Sequence, residues 1–224
     1  MEQLLYHGSS AVIEKPVFGA GNPHNDYGLA FYCTREREMA MEWAVTGCTD
    51  GYANTYRFDD SGLAVLDLCS EGLTALHWLT VLLKHREFDL RSPLAVRARA
   101  YLFENFSLSM EGVDVVAGYR ADDCYFSFAQ DFLTGGISYQ QLCRAMHLGR
   151  LGKQVALRSR RAQERLVFLE ALEVPASHWL ARRVQRDKEA RSNYFDLQRN
   201  AFREDDLFIG EIVTKRLGPV DVGV

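Results

Sequence analysis

Hydrophobic and polar positions alternate or cluster in short runs along most of the chain, and two periods can be read from them. Leu4 to Gly8 is a short apolar run that stops at Gly8-Ser9 and predicts a first strand. The stretch Asp26-Tyr27-Gly28-Leu29-Ala30-Phe31-Tyr32-Cys33-Thr34 enters through a glycine turn, runs apolar and aromatic, and leaves at Thr34. It predicts a buried central strand followed by a helix in which Met39, Ala40, Trp43 and Ala44 share one face. Ala53 to Phe58 alternates, Asp59-Asp60-Ser61-Gly62 is a turn, and Leu63 to Leu68 is again strand-like. The pair reads as a hairpin.

Helical periodicity then takes over. Leu73 to Arg86 is a strongly apolar helix, and Pro93 opens another that runs to Phe106. Val113 to Gly118 is an apolar strand, and Cys124 to Leu133 a helix ended by Gly135-Gly136. Ser138 with Gln141 three residues on is a capping box for a further helix. Gln154 to Leu157 and Leu166 to Val174 are the last two strands. Beyond Pro175 the composition turns basic and helical through Arg191, then mixed, with a final apolar run at Leu207 to Val213. Strands and helices interleave without regular βα alternation, so the fold class is α+β. Residues 1–175 form the domain, and 176–224 a mainly helical C-terminal extension packed on it.

Length and composition set the limits. The 224 residues and 47% hydrophobic content suit one domain with an appendage and a packed core. No run approaches a membrane span. The net charge of -4 gives no global pull toward nucleic acid. The dense basic runs, Arg158 to Arg161 and Arg182 to Arg191, read first as solvated faces. The five cysteines stand singly, which argues against a disulfide framework or a zinc site, and no metal is expected. The first strand begins within a few residues of Met1, which leaves no room for a cleavable signal, and a reducing, cytoplasmic location is the expectation.

Candidate chemistry sits where a polar residue occupies a strand position that an apolar one would fill. His7 precedes Gly8; it is either a turn histidine satisfied by a carbonyl or a donor-acceptor for a sugar hydroxyl. Gly8 would let a ligand approach the backbone. Tyr32 and Trp43 are either core filler or two aromatic walls for a planar ring. Gln154 is either an edge-strand position facing water or an amide that bonds a ribose hydroxyl or orients a nucleophile. The loop from Ser10 to Asn25 is long enough to have a function of its own.

Taken together these residues resemble the ADP-ribosyltransferase superfamily, in its branch marked by histidine, tyrosine and an acidic residue on three strands. The resemblance rests on ordered blocks: Tyr6-His7-Gly8-Ser9, Asp26-Tyr27-Gly28 with Phe31-Tyr32-Cys33-Thr34, Trp43-Ala44, Asn54-Thr55-Tyr56, Trp78-Leu79, Asp114 to Gly118, Ala121-Asp122-Asp123, and Gln154 to Leu157. Within the superfamily the chain looks most like a bacterial group of uncharacterised domains. The resemblance implies a split, two-sheet core that binds NAD as a substrate. His7, Gly8, Ser9, Tyr32 and Trp43 would hold it, with His7, Tyr32 and Gln154 as the catalytic set.

Gln154 stands where that family carries a catalytic glutamate. An amide brings no charge to an oxocarbenium ion, so single ADP-ribosyl transfer is the expected activity rather than chain elongation. Asp122 or Asp123 is the candidate acidic assist, with helix capping as the alternative; Glu164 is a weaker one. Three readings follow. The first is mono-ADP-ribosyl transfer to a macromolecule, in the setting of a bacterial toxin or phage-defence effector. The second is an NAD- or ADP-ribose-binding module without chemistry. The third is an interaction protein whose basic C-terminal helices dock a partner such as an antitoxin.

Overall fold

A computed structural model describes residues 2–121, 123–148, 152–199 and 203–223, with only the backbone of 123–125. Among the described residues, seven strands form one sheet: β1 (Glu2–Ser9), β2 (Phe31–Thr34), β3 (Gly51–Asp59), β4 (Val65–Asp67), β5 (Val115–Tyr119), β6 (Lys153–Leu157) and β7 (Leu166–Val174). Their order is β4-β5-β6-β2-β1-β3-β7. All pairs are antiparallel except β4 with β5.

Around the sheet lie α1 (Arg37–Ala44), α2 (Ala75–His85), α3 (Pro93–Asn105), α4 (Asp123–Leu133), α5 (Tyr139–Ala145), α6 (Arg160–Gln163), α7 (Ala176–Arg199), α8 (Ile209–Lys215) and α9 (Pro219–Val222). The capping box expected at Ser138 is present, with the Ser138 hydroxyl accepting from the Gln141 N–H and the Gln141 carboxamide accepting from the Ser138 N–H.

The ladder between β1 and β2 is the feature that matters for function. β1 pairs with β3 along its whole length, from Glu2↔Asp59 to Ser9↔Tyr52. With β2 it shares one register pair, Tyr6↔Thr34. The sheet therefore has a seam, with β4-β5-β6-β2 on one side and β1-β3-β7 on the other.

Three sequence expectations are corrected. Among the described residues the expected two-sheet core is a single sheet, because β1 and β2 still pair at Tyr6↔Thr34 and join its two halves. The central strand is short: only Phe31–Thr34 is extended, and residues 26–30 are turn and bend. The glycine at position 28 has φ +77°, outside the range of regular extended backbone. The hairpin between Ala53–Phe58 and Leu63–Leu68 does not exist. Both edges of β3 are taken, by β1 and β7, so β4 has no free edge there and instead pairs with β5 at the far margin. The turn at Asp59–Gly62 is real, with the Ser61 N–H on Asp59 Oδ1 at 3.0 Å.

That link also bends the sheet. Six residue steps from Asp59 to Val65 reach at most about 21 Å, whereas five strand spacings in a flat sheet need about 24 Å. The curl encloses Leu5, Cys33, Phe58, Val115, Val155 and Leu157 on one face. The larger core lies on the other face, around Trp78, Leu79, Leu82, Phe106, Phe128 and Phe132. Ala190, Tyr194 and Ile212, from the segment after Pro175, belong to that same larger core. Tyr194 stacks on Phe128 with ring centroids 3.8 Å apart.

Candidate functional site

The seam between β1 and β2 is held by a side chain. His7 Nδ1 donates to the Tyr32 carbonyl at 2.6 Å, where the backbone ladder has opened. A carbonyl can only accept, so Nδ1 carries the proton and Nε2 is the acceptor of the neutral ring. The imidazole packs against Phe31, centroids 4.3 Å apart and tilted by 32°. Burial lowers the His7 pKa, and the bond to Tyr32 offsets part of that.

Tyr32 points to the opposite face of β2 from Phe31 and Cys33. Its hydroxyl donates to the Gly28 carbonyl at 2.6 Å and accepts from the Tyr27 N–H at 3.0 Å. The ring is thereby fixed as a wall. Burial pushes the phenol pKa well up, so the group stays protonated.

Gln154 lies opposite Thr34 in the β2/β6 ladder and is buried. Its Nε2 donates to Asp26 Oδ2 at 2.7 Å. The same oxygen accepts from the Ala121 N–H at 2.8 Å, and Asp26 Oδ1 pairs with Arg86 at 3.2 Å. Asp26 is 3% exposed, so a carboxylate with three donors sits beside the amide.

These side chains share one hollow of about 220 Å³, lined by His7, Gly8, Asn25, Asp26, Tyr32, Trp43, Arg86, Arg120 and Gln154. A second, more apolar hollow of about 540 Å³ also has His7, Asn25 and Tyr32 in its wall. Its far side is the loop through Val12, Ile13, Val17 and Phe18, and its floor includes Leu29, Phe31 and Arg158. That loop is tied down. Asn54 accepts from the Ile13 N–H at 2.8 Å, Tyr56 bonds the Ile13 carbonyl, and Arg160 lies 5.0 Å over the Phe18 ring.

Five expected residues therefore meet: His7, Gly8, Tyr32, Trp43 and Gln154. Three qualifications follow. Gly8 is a glycine because of α1, since a Cβ there would lie 2.0 Å from the Ala40 carbonyl oxygen. The space expected for a ligand is filled by helix backbone, and Gly8 meets the hollow by its other atoms. One face of Trp43 is covered by the Arg120 guanidinium at 4.1 Å, so an incoming ring has only the other face. Trp43 Nε1 is buried without a hydrogen-bond partner among the described residues. Ser9 does not line the hollow; its hydroxyl donates to the Ala11 carbonyl at 2.7 Å and accepts from Asn54 Nδ2 at 2.9 Å.

Asp122 lies outside the described residues, and of Asp123 only the backbone, at the start of α4, is described. Glu164 is exposed at the end of α6 and lines neither hollow. Asp26, Arg86 and Arg120 were not singled out from the sequence. Asp26 carried a signal: a charge placed directly before a buried apolar run. The two arginines carried none.

Among the described residues, no three His, Cys, Asp or Glu side chains gather as a metal site. None of the described helices is long and apolar enough to cross a membrane. A family model described as a protein of unknown function (DUF3990) matches residues 3–168, a span that contains every residue lining both hollows. No curated protein and no solved structure matches the chain.

Proposed function

The chain belongs to the DUF3990 family, and from its seam cleft we propose that it is an NAD-dependent mono-ADP-ribosyltransferase acting on a macromolecule. The observation that carries the reading is the meeting of His7, Tyr32 and Gln154, three residues far apart in sequence, around one hollow at the opening of the sheet. A β1/β2 ladder with a single register pair supports the reading, as does the chain order of the three residues, which resembles that of the ADP-ribosyltransferase superfamily.

The smaller hollow takes the nicotinamide ribose end. The nicotinamide ring lies between the Tyr32 wall and the open face of Trp43. His7 Nε2 accepts from a ribose hydroxyl, and Arg86 and Arg120 face the pyrophosphate. The apolar hollow takes the adenosine, closed over by the loop with Phe18. Hollows of this size and polarity suit a dinucleotide held along its length.

The chemistry asks little of a general base. Breaking the bond between C1′ and the nicotinamide nitrogen builds positive charge on the sugar, as in glycoside cleavage. The site has to hold the leaving ring, fix the sugar and present negative charge in a water-poor place. The phenol of Tyr32, held protonated, acts as a wall and takes no proton.

The test is incubation of the purified chain with NAD labelled in the adenylate portion, alone and with lysate. Label in a macromolecule together with free nicotinamide is the expected result. Nicotinamide without macromolecular label means NAD hydrolysis. NAD that raises the melting temperature without turnover makes the chain a binding module. A chain that neither binds NAD nor turns it over overturns the assignment.

A further inference from the structure

We propose that Asp26 supplies the negative charge that Gln154 cannot, with Gln154 as the residue that positions it. The proposal rests on the NAD-cleaving reading above. Three observations carry it. Asp26 lines the smaller hollow together with His7, Tyr32 and Trp43. It is joined to the amide at the critical position by a 2.7 Å bond from Gln154 Nε2 to Asp26 Oδ2. Its remaining partners fix it without filling it.

The last point is a count of lone pairs. A carboxylate offers about four acceptor sites. Oδ2 uses two, for Gln154 and the Ala121 N–H, and Oδ1 uses one, for Arg86. One site on Oδ1 is left for a ribose hydroxyl or for the developing charge. Gln154 and Ala121 come from neighbouring strands, Gln154 in β6 opposite Gly118 of β5 and Ala121 just beyond the end of β5, while Arg86 comes from the end of α2. Two donors on Oδ2 and Arg86 on Oδ1 together hold the carboxylate plane against rotation, which is the preorganisation that electrostatic stabilisation requires.

The step balances without any further reagent. The C1′–N bond breaks, and its electron pair leaves with neutral nicotinamide. The positive ribosyl fragment is stabilised by the Asp26 carboxylate. A lone pair of the acceptor then bonds to C1′, and the acceptor's proton passes to solvent. Asp26 forms no covalent bond.

The experiment transposes the charge. Wild type, Asp26→Asn, Gln154→Ala and the double variant Asp26→Asn/Gln154→Glu are compared as full chains, by nicotinamide release under single turnover and by NAD affinity. Removal of a preorganised charge typically costs about 100-fold or more in rate, and that is expected for Asp26→Asn with NAD affinity changed by less than about threefold. Gln154→Ala, which leaves the charge in place, should lose only about tenfold. The double variant should recover at least about tenfold over Asp26→Asn, because the charge returns across the same hydrogen bond.

Full turnover in Asp26→Asn overturns the proposal. So does a Gln154→Ala variant that binds NAD but loses as much rate as is expected of Asp26→Asn. If Asp26→Asn does not fold, the Gln154→Ala rate decides: a loss of about tenfold or less supports the proposal, and a larger loss with NAD still bound overturns it. A wild-type chain that releases no nicotinamide overturns the NAD-cleaving reading itself, whereas an active wild type with an equally active Asp26→Asn overturns only the role of Asp26.

Discussion

Gln154 Nε2 donates to Asp26 Oδ2 at 2.7 Å across 128 residues of chain, and the contact ties β6 to the turn that leads into β2. An amide in that place is compatible with a buried carboxylate; a second carboxylate is not. In Gln154→Glu two carboxyl groups would face each other at hydrogen-bond distance, and one would keep its proton well above the ordinary carboxylate range. A carboxyl group with a raised folded pKa stabilises the fold only while protonated. The melting temperature of Gln154→Glu should therefore fall progressively below wild type between about pH 5 and pH 8. On the proposed NAD-cleaving reading, cleavage should persist, because the change puts a carboxyl group where the amide stands. Parallel melting curves of the two proteins across that pH range would show that the two side chains do not face each other.

The two roles of Tyr32 separate cleanly by substitution. Tyr32→Phe keeps the ring wall but leaves the Gly28 carbonyl and the Tyr27 N–H without the hydroxyl. The expected loss is about 1–3 kcal/mol of stability, with NAD affinity within a few-fold of wild type. Tyr32→Ala removes the wall as well and should weaken NAD binding by about tenfold or more. Chemical denaturation and calorimetric titration measure the two effects. A Tyr32→Phe variant that binds NAD normally but does not turn over would assign the phenol a proton-transfer role, contrary to its burial.

Three histidines predict an acid limb. His7, His77 and His85 all have pKa values lowered by burial, His85 further by Arg158 and Lys84. In the unfolded chain each titrates near about 6.5. Below that pH the unfolded state binds protons that the folded state does not, so stability is lost from about pH 6.5 down toward the lowered folded values. NAD affinity should fall over the same range, because protonation turns His7 Nε2 from acceptor to donor. Urea midpoints at pH 7.5 and pH 5.5 check the first statement. Replacing His7 by Gln should flatten the pH dependence of affinity while leaving the contributions of His77 and His85 to stability.

How far the sequence could be read depends on whether a signal is local. The strand positions of His7, Tyr32 and Gln154 follow from a polar residue beside apolar neighbours, which a pattern records directly. The capping box at Ser138 is equally local. The false hairpin shows the limit: the Asp59–Gly62 turn is written in the residues, but which strand edge is free at its exit depends on β1 and β7. The short β2 has the same origin, since apolar residues at Tyr27 and Ala30 are buried in a turn as well as they would be in a strand. Arg86 and Arg120 reach the hollow from α2's end and from the segment after β5, and nothing in their own surroundings marks them. Gly8 was legible as necessary, but its necessity comes from α1.

That glycine yields the last prediction, and it guards the reading of the others. A Cβ at position 8 would meet the Ala40 carbonyl oxygen at 2.0 Å, the Ala44 nitrogen at 2.6 Å and Trp43 Cβ at 2.9 Å. Two of these are helix backbone, so α1 as a whole must move away from β1. Overpacking of a tight site commonly costs about 1–3 kcal/mol and more where backbone must shift, so Gly8→Ala should lie at or beyond the upper end. At Gly28 the φ of +77° and the His85 ring 2.7 Å from a built Cβ combine strain with a movable neighbour. Gly28→Ala should cost less than Gly8→Ala, about 1–2 kcal/mol from conformation, with His85 turning aside. Denaturation midpoints give the ranking directly. If Gly8→Ala were the milder of the two, α1 would not be packed against β1 as described, and Trp43, carried by that helix, would lose its place in the cleft.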